Sequence, residues 1–231
     1  MDNRKEWTSR QTELRRIITS PAHFEDAIQL FLQQHAATHT AKISGSQAWS
    51  VEDEALAGLS DEQIRACPCP GKNSIAWLLW HAARIEDITM NALVLEQPQT
   101  LDSGGWAPRL GPLLRDVGSG MSQAGVTRFS AQVLVQALKD YRAAVGASTI
   151  NGIPRLAAAQ MKEIVTAARV QLLVEDGSIS QDALWLAEFY SNRPKSFFLT
   201  RTATSHNFQH ISEAGRFAGG FRKLARSGSI A

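Results

Sequence analysis

Apolar residues in this chain recur at three- and four-residue intervals, and no segment sustains an alternation of period two. A chain patterned in this way buries helices against helices, so the predicted class is all-α. The clearest stretch spans about 74–97, where Leu78, His81, Ile85, Ile88, Ala92 and Leu95 fall on one stripe. Trp77, Leu79 and Trp80 spill onto its neighbouring faces, so this helix is predicted to be buried nearly all round. A helix over about 21–43 carries Phe24, Ile28, Phe31, His35 and Lys42 on one side, with His39 near the edge. A third begins after Ser130 with Leu134, Ala137, Tyr141 and Val145 inward, and a fourth runs over about 194–224. Long helices in this number predict an antiparallel four-helix bundle with short additional helices.

Local signals place the boundaries. Ser20-Pro21 reads as a helix restart, with the serine as N-cap and proline at the first position. Gly45 ends the first long helix. Ser60 and Gln63 fit a capping box for a short helix, and the Cys-Pro-Cys-Pro-Gly run at 67–71 stops that helix. Asn73, Ser130 and Ser180 are predicted caps, and Gly152-Ile153-Pro154 and Asp176-Gly177 break the region 150–190 into short pieces. The expected organisation is a helical extension over residues 1–20, with Trp7, Leu14 and Ile18 on one side, a bundle domain over 21–225, and a tail over 226–231.

Composition narrows the function. The 24 basic and 22 acidic residues leave a net charge of +2, which does not suggest nucleic acid or an anionic membrane. No apolar run approaches the roughly 18 residues of a membrane span, and the charged start lacks the apolar stretch of a secretory signal. With two cysteines, a cytoplasmic protein is the expectation. There is no phosphate-binding glycine loop and no GxSxG elbow.

The chemistry lies in the histidines. His206 and His210 are four apart on a helix, so both imidazoles leave one face, within or at the rim of the arc carrying Leu199, Ala203 and Phe217. His81 sits on the apolar stripe of another helix. Polar groups on inward arcs need partners, and one metal shared by all three provides them. The plainer alternative is a set of boundary histidines bonded to carbonyls or carboxylates. Glu213 reads as a ligand, an outer carboxylate that orients an imidazole, or a general base, against a solvent-facing glutamate. His35 and His39 form a second HxxxH. Either one reaches the same metal or lines its pocket, His39 as a wall above all, or both simply pack near a helix end. His23, Glu86 and Asp87 read as surface or partner contacts. Cys67 and Cys69 read as a structural loop rather than a soft-metal site. Trp77 and Trp80 read as core, with Trp49, Trp106 and Trp185 at a pocket mouth.

At NSIAWLLWHAARIEDITMN and TATSHNFQHISEAGRF the chain resembles the DinB-like superfamily, bacterial four-helix proteins with a histidine on the second helix and HxxxH on the fourth. The resemblance covers roughly residues 22–222, including the connector WSVEDEALAGLSDEQ. It implies an up-down-down-up bundle, His81, His206 and His210 in the three ligand positions, and a homodimer. It also implies thiol chemistry, since some relatives act with low-molecular-weight thiols as transferases or isomerases. Cys67 and Cys69 are not part of the family's motif.

The resulting expectation is a metal-dependent enzyme with a small-molecule substrate. Three neutral imidazoles leave a divalent ion its full charge and an exchangeable position, which activates water or a thiol. Zinc and nickel both suit the donors, and iron is compatible. The rival expectation is a non-catalytic bundle in which the metal pins helices or binds a ligand.

Overall fold

The computed structural model describes residues 2–45, 48–111 and 114–226, and it is 72% helical with almost no sheet. The tail beyond 226 lies outside the described residues. Helix α1 (Asn3–Ile17) starts at Asp2, whose carboxylate accepts from the Arg4 amide at 3.0 Å. Ser20 makes no side-chain cap, and a 3-10 turn over Pro21–His23 leads into α2 (Phe24–Ala36). The predicted first long helix therefore stops at Ala36. A further 3-10 turn follows over Ala41–Ser44, closed by Gly45 in the left-handed region with φ 62°.

Two short helices, α3 (Val51–Leu56) and α4 (Asp61–Arg65), form the connector. The Ser60–Gln63 capping box is present at α4. Helix α5 (Ile75–Glu86) is capped by Ser74, whose hydroxyl accepts from the Trp77 amide at 3.0 Å, not by Asn73. It runs on into a π-helical segment over Asp87–Val94. After α6 (Thr100–Ser103) and α7 (Ala107–Leu110) come α8 (Gln123–Gln132), capped by Ser122, and α9 (Val135–Gly152). Ser130 is thus inside α8 rather than a cap. Its hydroxyl donates to the Val126 carbonyl at 2.6 Å, and the chain breaks in extended backbone at Val133. Helices α10 (Ala167–Glu175) and α11 (Trp185–Tyr190) fill the region predicted to hold short pieces, where Ser180 makes no cap bond. The chain ends in α12 (Lys195–Thr200), a second π segment (Arg201–His206) and α13 (Asn207–Arg226). The sheet among the described residues is one two-residue pair, β1 (Ile164–Val165) antiparallel to β2 (Arg193–Pro194).

The second π segment has a local cause. The Thr200 carbonyl accepts from Thr204 Oγ1 at 3.0 Å, Ser205 Oγ at 2.8 Å and Gln11 Nε2 at 2.9 Å. Hydroxyls that bond back to carbonyls compete with the regular helical ladder and locally widen it. Gln11 comes from α1, which also seats Trp7, Leu14 and Ile17 inward.

Helix α5 packs on α9 and on α13, while α2 packs on α9 and on the π segment before α13. Two apolar clusters result. One gathers Phe31, Ile88, Leu93, Phe198 and Leu199, and the other Leu78, Trp80, Tyr141 and Ile211. Helix α5 passes from one to the other near Arg84, where Arg84, Glu86 and Asp87 are all fully buried. Asp87 therefore does not face the surface. Its carboxylate accepts from Tyr141 Oη at 2.6 Å, Arg84 Nη1 at 2.9 Å, Asn91 Nδ2 at 2.6 Å and the amides of Thr100 and Leu101.

Candidate metal centre

Three imidazoles remote in sequence meet between α5 and the start of α13. His81 is buried and stacks on Trp77, with ring centroids 4.7 Å apart and planes 8° from parallel. Its Nδ1 donates to the Val117 carbonyl at 2.7 Å, so its Nε2 carries the lone pair. That Nε2 lies 3.2 Å from His206 Nε2, which lies 3.1 Å from His210 Nε2. His206 closes the π segment and His210 follows one turn later, both half-buried.

Nitrogens held about 2.0–2.1 Å from one ion sit roughly 2.8–3.4 Å apart at ordinary coordination angles. Both observed separations fall in that interval. Hydrogen bonding alone does not account for them. His206 Nε2 either donates or accepts, so it cannot bond well to His81, which offers a lone pair, and also accept from His210. Burial pushes His81 down to about 4, against the opposing pull of its bond to Val117. Burial, then the nearby His81, pushes His210 down to about 3. Burial and both neighbouring imidazoles hold His206 well below the usual histidine range. Neutral imidazoles with converging lone pairs are the donor set of a divalent transition metal. Glu213 comes within 3.8 Å of His210 Nδ1, close enough for charge to be felt but too far for a hydrogen bond.

His35 and His39 do not join this group. Both are fully buried and turn to Glu86 of α5, Nε2 to Oε1 at 2.6 Å for His35 and Nε2 to Oε2 at 2.8 Å for His39. Glu86 is therefore an internal anchor rather than a surface residue. Five positions beyond His81, it projects from another side of α5, toward α2 and α9. It also accepts from Thr149 Oγ1 of α9 at 2.7 Å and from Asn207 Nδ2. Burial alone would push Glu86 up, but the imidazoles of His39 and His35 hold it well below the usual carboxylate range. Burial pushes His39 down to about 3. Gly146 of α9 makes room for its ring. Arg142 stands near both groups and adds to the depression of His39, His206 and His210, although its own charge is paired with Glu52 at 2.8 Å.

Sequence reasoning missed Glu86, Thr149, Asn207 and the Val117 carbonyl. The available signal was an acidic pair, Glu86-Asp87, inside an otherwise apolar run, together with an HxxxH at His35 and His39 that lacked a partner. Trp77 and Trp80 are in the core, and Trp106 is buried beneath Arg109 at 3.9 Å. Trp49 lines a groove between α1 and α2 whose walls include none of His81, His206 and His210. Trp185 is exposed, and Cys67 and Cys69 are free thiols. Among the described residues, no helix is long and apolar enough to cross a membrane.

A family profile matches residues 45–192, a span that contains His81 and ends before His206 and His210; it describes the DinB superfamily. No curated protein sequence matches the chain. Among solved structures, a conserved protein from Enterococcus faecalis shares 18% identity with a TM-score of 0.53, over 83% of this chain and 96% of that one. At that identity the likeness concerns the fold.

Proposed function

The chain belongs to the DinB superfamily, and on that premise we propose that it is a metal-dependent enzyme in which His81, His206 and His210 hold one divalent ion. The observation that supports this most directly is the approach of three Nε2 atoms, two of the separations being 3.2 and 3.1 Å. When bound, such an ion supplies Lewis acidity, lowering the pKa of water or of a small-molecule thiol held beside it. Zinc and nickel suit the donors, and iron is compatible. The chain's own residues fix the geometry. The Val117 carbonyl sets the tautomer of His81, and Trp77 holds its ring plane. Burial keeps the imidazoles neutral at pH 7, so no proton competes for the lone pairs. The partial exposure of His206 and His210 leaves a side from which a small thiol or water can approach. In this reading Glu213, on α13 with its carboxylate 3.8 Å from His210 Nδ1, is the group that would take a proton from a reacting molecule.

Metal analysis tests the assignment. His81→Ala and His210→Ala each lose one ion per chain relative to the wild type. Wild-type stoichiometry in both variants would remove the ligand assignment. Titrating low-molecular-weight thiols into cobalt-substituted protein should move the ligand-field bands. Spectra that do not respond would exclude the thiol version and leave hydrolysis.

A further inference from the structure

The buried group on the other side of α5 has the chemistry of a second centre. His35, in the last turn of α2, and His39, in the bend that follows it, present two imidazoles with ring centroids 4.5 Å apart. Glu86 adds a carboxylate from α5, and one atom from each of the three lies within 4.8 Å of the others. Two imidazoles and one carboxylate are a frequent donor set for zinc and for iron. We propose that His35, His39 and Glu86 form a second divalent-metal site, separate from the three-imidazole group.

Three observations carry the assignment. Glu86 is fully buried, and among the described residues no lysine or arginine hydrogen-bonds to it. A buried carboxylate without a formal countercharge is costly, and a divalent ion provides one. Thr149 and Asn207 already donate to Glu86 from α9 and α13, as the outer partners that orient a ligating carboxylate do. Thirdly, α9 carries glycine at 146, where any Cβ would stand 2.8 Å from His39 Nδ1. The space for that ring is part of the sequence.

The nitrogen–oxygen separations of 2.6 and 2.8 Å are those of the proton-filled network. On metal binding each Nε2 exchanges its proton for the ion by shifting to the Nδ1–H tautomer, and the donors spread by a few tenths of an ångström. His35 Nδ1 and His39 Nδ1 have no partner in the proton-filled state, so the shift breaks no hydrogen bond there.

The proposal does not rest on the three-imidazole reading, and one experiment separates them. Native mass spectrometry of protein refolded with zinc, with cobalt and without metal gives the ion count of the wild type. Glu86→Gln keeps the shape and removes the charge, His39→Gln removes an imidazole, and His81→Ala tests the other group. Two ions in the wild type, falling to one in Glu86→Gln and in His81→Ala, is the expected result. One ion in the wild type that survives Glu86→Gln and is lost in His81→Ala overturns the second site and leaves the first. One ion with the opposite pattern supports the second site and removes the first, and no ion in any form overturns both. Should His39→Gln not fold, the wild-type count and Glu86→Gln decide between these outcomes.

Discussion

Replacing Gly146 by alanine sets two terms of opposite sign against each other. Glycine inside a helix costs about 1 kcal/mol relative to alanine, so helix propensity alone predicts a more stable protein. At Gly146 the added Cβ would meet His39 Nδ1 and Ile43 Cδ1, each at 2.8 Å. Carbon atoms rest comfortably at about 3.5–4.0 Å, so each contact is short by roughly 0.7 Å. Ile43 can turn its terminal methyl away. His39 cannot retreat freely, because Glu86 holds its Nε2 at 2.8 Å. Overpacking of this kind costs about 1–3 kcal/mol. The net expectation is a loss of about 1 kcal/mol, or roughly 2–4 °C in Tm for a domain of this size. Gly219→Ala on α13 is the control, since its Cβ meets nothing within 4 Å and should stabilise by up to about 1 kcal/mol. Urea titrations of both variants measure the difference, and the nitrogen shifts of the His39 ring report whether the imidazole has moved. If Gly146→Ala gains as much stability as Gly219→Ala, the close fit of His39 between α9 and Glu86 is wrong. If adding Ile43→Ala restores the loss completely while the His39 shifts stay fixed, the isoleucine and not the histidine sets the limit.

The buried charges give two further expected outcomes. Asp87→Asn leaves Arg84 without a countercharge inside the protein, and should cost about 3–5 kcal/mol by urea titration; a loss below about 1 kcal/mol would contradict the role given to this network. His39, held down to about 3 against an ordinary 6.5, is neutral when folded and takes a proton only when unfolded below pH 6.5. Its contribution to stability therefore falls as the pH is lowered from 6.5 toward 3, by about 2 kcal/mol at pH 5. Metal-free wild type should show that loss between pH 7 and pH 5, and His39→Gln should show less of it. Equal pH slopes in the two proteins would refute the assignment.

The helices were legible because burial imposes its period on the sequence: α5 is apolar on nearly every side, and its residues are buried from Ile75 to Glu86. The approach of His81, His206 and His210 was legible for the same reason, since each stood on an apolar arc without a local partner. Glu86 was not. An acidic residue is ordinarily solvated, and its offset from His81 turned attention to the wrong side of the helix. Nothing in the spacing of His35 and His39 states that the side chain facing them belongs to α5. The boundaries shifted where hydrogen bonding outweighed propensity, with Ser74 rather than Asn73 capping α5, and with Ser130, the predicted cap of the third helix, lying inside α8 ahead of the break at Val133 that precedes α9.

The widened turn at Arg201–His206 also bears on how this protein can change. A π turn holds one residue more than the α turn it replaces, so deleting a single residue there would give a more regular rod. A deletion within a regular α-helix turns everything downstream by about 100°, whereas one taken from the widened turn removes the surplus residue and leaves the downstream face where it was. His210 would keep its side of the helix toward His81, and Phe198 and Leu199 their seats. Loss of one residue is thus better absorbed in this stretch than inside α5 or α13, where the same change would carry the inward residues off their face.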